Sequence, residues 1–135
     1  MKILIENPPN IDDIDKVLHV KDKPGVLFTY GDSIYNPFNV DLPPWIISHE
    51  EVHCERQMVH GPEYWWDKYL KDIGFRYEEE LLAHQREYQV YCAMARSRNE
   101  RRLGLKVMAK RLSSDLYGSV ISFKDAKEEI KNVQI

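Results

Sequence analysis

The chain has only two cysteines in 135 residues, Cys54 and Cys92. That is too few for a disulfide framework, so the fold must rest on packing and the thiols are expected to be reduced. No apolar run approaches the roughly 20 residues of a membrane-spanning helix. The opening Met1 to Pro9 has neither a long apolar stretch nor a small-residue cleavage site, so no secretory leader is expected. Together these absences point to a cytoplasmic protein with no membrane contact. Repeats, low-complexity tracts and linkers are also missing. The length then favours one domain over 1–135, with a β-containing part (1–43) and a helical part (44–135).

Apolar residues make up 43% of the chain, enough for a core, and charged residues 30%. The net charge of −3 conceals an asymmetry. Arg96, Arg98, Arg101, Arg102, Lys106, Lys110 and Arg111 stand against Glu100 alone, a segment of +6 that leaves −9 on the rest. Such a segment can bind nucleic-acid phosphate. With no base-stacking or groove-reading module around it, the weightier reading is a solvated helix face that balances an acidic body.

Met1 to Glu6 alternates weakly and reads as an edge strand stopped by Pro8-Pro9. Ile11 to Val20 reads as a short helix capped by Asn10. Lys23-Pro24-Gly25 is a turn. Val26 to Tyr30 is β-branched and aromatic, hence a strand. Ser33 to Asn36 pairs with it across Gly31-Asp32 as a hairpin. Pro43-Pro44 opens a helix that runs to about Val59. Further helices are expected over Glu63 to Lys71, Phe75 to Ser97 after a break at Gly74, and Arg101 to Ser113, with Gly104 a soft spot. After a turn at Tyr117-Gly118, the capping-box-like Ser122-Phe123-Lys124-Asp125 starts a last helix to about Asn132. The sum is a helix-rich α+β domain with a small N-terminal sheet or hairpin and four to five helices.

One short string outweighs the rest: His49-Glu50-Glu51-Val52-His53, which spells H-E-x-x-H. Shuffling five His and twelve Glu through the chain would produce it roughly 0.016 times. On a helix the two histidines stand one turn apart on one face, so both imidazoles reach one metal ion. Glu50 lies beside the first, placed to hold a water on that ion. A catalytic zinc takes three protein ligands. For the third, the downstream candidates are His60, His84 and the acidic triplet Glu78-Glu79-Glu80. The metzincin spacing fails, because Arg56 and Val59 stand where it needs Gly and His.

Further stretches carry a resemblance: Gly31 to Pro37, the motif itself, Arg56-Gln57, Trp65 to Leu70, Phe75 to Ala83 and Leu116-Tyr117-Gly118. Over about residues 26 to 130 the chain resembles small, single-domain zincin-like proteins of phages and prophages, which belong with the minimal gluzincins. The resemblance implies a zincin-like fold, Zn2+ as cofactor, and a third ligand Glu on the next helix followed by Ala three residues later. Glu80 with Ala83 fits that pattern. Glu79 and Glu78 point about 100° and 200° away on the helix, and they remain alternatives with His84. The implied activity is that of a zinc metallopeptidase, with Glu50 as general base and a peptide or protein as substrate, acting inside a bacterial host cell.

Other residues have milder readings. Tyr117 can donate to an oxyanion, though packing is the stronger expectation. One of Trp65 and Trp66 belongs to the core and the other walls the site. Arg56 or Gln57 can fix a histidine tautomer, with a surface salt bridge equally expected for Arg56. Cys54 points away from the metal face, and His19 and His60 are surface residues. Val26 to Tyr30 can serve as the edge along which an extended peptide adds. Two rival functions remain: a zincin-fold binding protein without turnover, and a nucleic-acid factor using residues 96–111. Nothing in the sequence sets the oligomeric state.

Overall fold

The computed structural model describes residues 1–132. Its elements, in order, are β1 (Lys2–Leu4), α1 (Ile11–Leu18), β2 (Phe28–Tyr30), β3 (Ser33–Tyr35), α2 (Pro44–His60), α3 (Pro62–Lys71), α4 (Ile73–Met94), α5 (Arg98–Leu112), a 3-10 turn (Asp115–Tyr117) and α6 (Phe123–Lys131). The expected helix-rich α+β architecture is observed, with six helices rather than four to five among the described residues. None is long and apolar enough to cross a membrane. The last three positions of the expected 1–135 domain lie outside the described residues.

The sheet runs β1-β3-β2. β2 and β3 form the expected antiparallel hairpin, with Thr29 opposite Ile34. β1 adds to β3 in parallel, with α1 in the crossover. Gly31 turns the hairpin at φ 65°, and its N–H donates to Gln57 Oε1 at 2.7 Å. Thr29 O accepts from both Gln57 Nε2 (2.8 Å) and Trp66 Nε1 (2.9 Å). The hairpin is thereby fastened to α2 and α3 by side chains that satisfy its outer edge.

Two apolar clusters flank the centre. Ile14, Val20, Phe28, Trp65, Trp66 and Tyr69 join α1, β2 and α3. Leu105, Met108, Ala109, Leu112, Tyr117, Ala126 and Ile130 join α5, α6 and the 3-10 turn. Between them α2 packs on α4, and most of the residues they bury are polar: His49, Glu50, His53 and Gln57 beside Val52 and Cys54 on α2, and Arg76, Glu79, Glu80, His84 and Glu87 beside Ala83 on α4.

One expected cap bond is not made, and three boundaries differ from the sequence reading through a cap or a left-handed residue. Asn10 makes no side-chain cap bond. α1 ends at Leu18 because His19 turns left-handed at φ 55°. α4 begins at Ile73 and absorbs Gly74, because Asp72 caps it by accepting from Phe75 N–H at 3.0 Å. Its successor begins at Arg98, where the N-cap Ser97 Oγ accepts from Glu100 N–H and the Glu100 carboxylate accepts from Arg96 N–H, one residue ahead of the cap, a variant of the capping box.

Gly104 is a close-packing residue of α5, because a Cβ there would overlap the ring of Tyr91. That ring is held by an edge contact with Trp45 and by a 2.9 Å bond from its hydroxyl to Glu100 O. Gly104→Ala should therefore lower the melting temperature, because overpacking costs about 1–3 kcal/mol and outweighs a helix-propensity gain of about 1 kcal/mol. A raised melting temperature would show that Tyr91 moves aside freely.

Candidate metal centre

α2 presents His49 and His53 from successive turns, and both are buried. α4 crosses behind them and directs Glu80 between the two rings. His49 Nε2 lies 3.2 Å from Glu80 Oε1, and His53 Nε2 lies 3.1 Å from Glu80 Oε2. The three residues thus turn ligand atoms to one point, all within 4.8 Å of one another. Glu50 lies beside it, with Oε2 3.9 Å from His53 Nε2. The hydroxyl of Thr29, on β2, lies 3.3 Å from Glu50 O and 3.4 Å from its Oε2.

The donor set was tested against a metal through its hydrogen bonds. A buried polar atom normally has a partner. Glu80 Oε1 is sealed from solvent and has none, although it faces an imidazole nitrogen. The other carboxylate oxygen accepts from Tyr69 Oη at 2.7 Å. His49 Nδ1 lies 2.7 Å from Glu87 Oε1, so the N–H belongs on Nδ1 and the Nε2 lone pair faces the cluster. A ligating histidine needs this carboxylate support for its far nitrogen. Two imidazoles and one carboxylate are the donors that a divalent transition metal takes. The group fits.

Electrostatics favour a cation at the same point. Burial would push the His49 imidazole down, but hydrogen bonds to Glu80 and Glu87, with the charges of Glu80 and Glu50, raise it to about 10. Burial opposes ionisation of Glu80, yet His53 and His49 hold its carboxyl well below the usual range. Burial likewise opposes ionisation of Glu87, which His49 and Arg111 bring down to about 2. His84 goes the other way: burial, then the charge of His49, lowers it to about 3, so it is neutral.

His84 is anchored to its own helix. Its Nδ1 lies 2.6 Å from Glu80 O, one turn back on the same helix, and holds the ring in place. His49, His84 and Glu87 form a second group with metal-like spacing. There, however, Arg111 fills the cation position, 2.8 Å from Glu87 Oε1 and 3.5 Å from His84 Nε2.

Glu78 is exposed. Glu79 is buried but faces a different partner set: both oxygens receive Arg56, at 2.8 to 3.1 Å, and Oε1 also accepts Trp65 Nε1 at 2.7 Å. Arg56 thus fixes α4 rather than a histidine tautomer. Gln57 fixes the hairpin. Trp65 and Trp66 are both buried; Trp65 lies against His53 with ring centroids 5.3 Å apart. Cys54 is buried, and His19 and His60 are exposed. Sequence reasoning missed Tyr69, Glu87, Arg111 and Thr29. Only Glu87 left a signal, standing seven residues after Glu80 and hence two turns along the same face.

Tyr117 packs its ring edge-on to His84 at 5.8 Å. Among the described residues its hydroxyl makes no hydrogen bond. An inner cavity of about 60 Å³ reaches His49, Glu50 and His53 between Phe28, Trp65 and Tyr117. A wider cleft of about 300 Å³ leads to His49 and Glu50 past Val26, Leu27, Ile46 and Tyr117. β2 is an edge strand but begins at Phe28 rather than at the expected Val26, and its Thr29 carbonyl is already taken; Val26 and Leu27 line the cleft from the segment before the strand.

In comparisons with models of known families, with curated proteins and with solved structures, nothing matched the chain. The class the fold and site define is therefore set by geometry alone: a helix-rich α+β protein with buried His and Glu groups that can hold a metal ion.

Two substitutions on α4 separate the ligand from its neighbour. Glu80→Ala should abolish stoichiometric metal binding, read by elemental analysis after dialysis. Glu79→Ala should keep the metal and lower the melting temperature, since an unsatisfied Trp65 N–H costs about 1–3 kcal/mol. Equal metal loss in both would place the wrong carboxylate at the centre. Glu87→Gln should weaken metal affinity by about 10–100-fold, the usual cost of a lost supporting carboxylate; titration against a competing chelator measures it, and unchanged affinity would remove Glu87 from the site.

Proposed function

We propose that this chain is a zinc-dependent peptidase of the minimal gluzincin type. His49, His53 and Glu80 would hold the ion, and Glu50 would be the proton carrier. The observation that carries this reading is the placement of Glu50 beside the three converging ligand groups, at the inner end of a cleft. The donor set, nitrogen and carboxylate without thiolate, is that of hydrolytic zinc sites. When bound, zinc supplies Lewis acidity, polarising a carbonyl and lowering the pKa of a coordinated water to about 7.

The chain's own residues do the rest. Glu50 Oε2, within 3.4 Å of Thr29 Oγ1, would take a proton from the water that adds to the carbonyl carbon and give it to the amine nitrogen as the C–N bond breaks. Glu80 is kept ionised by the two imidazoles it faces and is oriented by Tyr69 Oη. Burial and the charge of Glu80 hold the Tyr117 hydroxyl protonated well beyond its ordinary range, so it remains a donor. It lines the cleft with Glu50 and is placed to donate to a developing oxyanion. The backbone of Val26 and Leu27 would offer an extended peptide its pairing edge.

The burial of all three ligand groups favours a second reading, in which the ion braces α2 against α4 without turnover. Hydrolysis of a quenched-fluorescence peptide library distinguishes the two. Glu50→Gln should retain metal and lose at least about 100-fold in rate, as expected for a lost general base. A zinc-loaded wild type that cleaves nothing, or a Glu50→Gln variant with undiminished activity, would contradict the peptidase reading.

A further inference from the structure

α5 carries all of the basic segment but Arg96, and the cations of its outer face are not spent on the acidic body of the chain. Arg98, Arg102, Lys106 and Lys110 are all exposed. They stand four residues apart, so each step rises about 6 Å along the helix and turns about 40° around it. The row extends about 18 Å. Among the described residues none of the four enters an ion pair, whereas Arg111, on the inner side, is committed to Glu87. Glu100, the segment's lone acid, is occupied by the Arg96 N–H. A face that merely balanced nearby carboxylates would be paired with them. This one is an uncompensated cationic ladder on a chain whose remainder is −9.

We propose that the outer face of α5 binds the phosphate backbone of a nucleic acid without reading its sequence. The regular spacing suits a polymer of single negative charges better than the irregular carboxylates of an acidic protein. Arg102 is already oriented, its Nη2 bonding Asn99 Oδ1 at 2.8 Å. The exposed apolar residues beside the ladder are Leu103 and Val107. Neither can stack a base, so contact is confined to phosphate and sugar. Two short side chains are also too little apolar surface to anchor in a bilayer. This inference does not depend on the metal centre.

The test is fluorescence anisotropy of the full chain with a random-sequence 20-nucleotide DNA, single-stranded and duplex, at 50 and 200 mM salt. Three to four phosphate contacts predict an affinity loss of about 40–150-fold for the duplex and about 20–50-fold for the single strand between the two salt concentrations. The triple variant Arg102→Ala/Lys106→Ala/Lys110→Ala should abolish most of that salt dependence and weaken both DNAs alike. Circular dichroism and metal content should stay as in wild type, since all three positions are exposed. The control Lys16→Ala/Lys23→Ala/Lys124→Ala removes the same charge elsewhere and should leave binding unchanged. No binding at 50 mM salt, equal loss in the control, or phosphatidylserine vesicles that excess DNA fails to displace would overturn the proposal. So would self-association that vanishes in the α5 variant without any DNA binding.

Discussion

The carboxylate of Glu80 between the imidazoles of His49 and His53 is the contact on which the central helix pair depends. α2 and α4 do not meet through an apolar stripe. Most of the side chains they bury are polar or ionisable, and a buried charge without a partner costs several kcal/mol. Each group therefore needs its own countercharge or donor, and the structure provides a chain of them: Tyr69 to Glu80, Glu80 to both histidines, His49 to Glu87, Glu87 to Arg111. One oxygen of Glu80 is left over at the point where the ligand atoms converge. A cation there would give that oxygen its partner; His53 Nδ1, on the far side of its ring, is likewise buried without one.

The surrounding fold can be understood as support for that network. The apolar cores on either side supply the packing that the central face lacks. Trp65 lies against His53 and bonds Glu79, so one aromatic residue limits both a ligand ring and the helix opposite. The hairpin has little area of its own. It is tied down through the Thr29 carbonyl and Gly31 N–H, and in return brings the Thr29 hydroxyl to Glu50. Such rigid support makes histidines and carboxylates into a preorganised site rather than a cluster of surface charges.

What could be read from the sequence was whatever depends on short spacing. His49 and His53 share a face by helical geometry alone, and Pro44 marks the start of their helix. The Gly31-Asp32 hairpin and the Ser122 cap are equally local. Glu80 stood out from Glu79 and Glu78 by helix phase together with the resemblance, not by composition. Tyr69, Glu87 and Arg111 stayed hidden because their roles exist only once three helices have packed; an arginine within a basic run gives no sign that it turns inward. Arg56 makes the salt bridge that was one of its two expected readings, to Glu79, whereas Gln57 bonds the hairpin rather than a histidine, since either side chain can reach several partners. The break between α4 and α5 was legible but misplaced: Ser97 reads as the end of one helix, whereas its side chain caps the next.

The most direct measurement is an X-ray fluorescence scan of crystals of the purified chain, followed by anomalous difference maps on either side of the zinc edge. The account predicts one peak per chain, about 2.0–2.2 Å from His49 Nε2, His53 Nε2 and a Glu80 oxygen. Crystals without such a peak from protein never exposed to chelator, or a peak held by other residues, would contradict it.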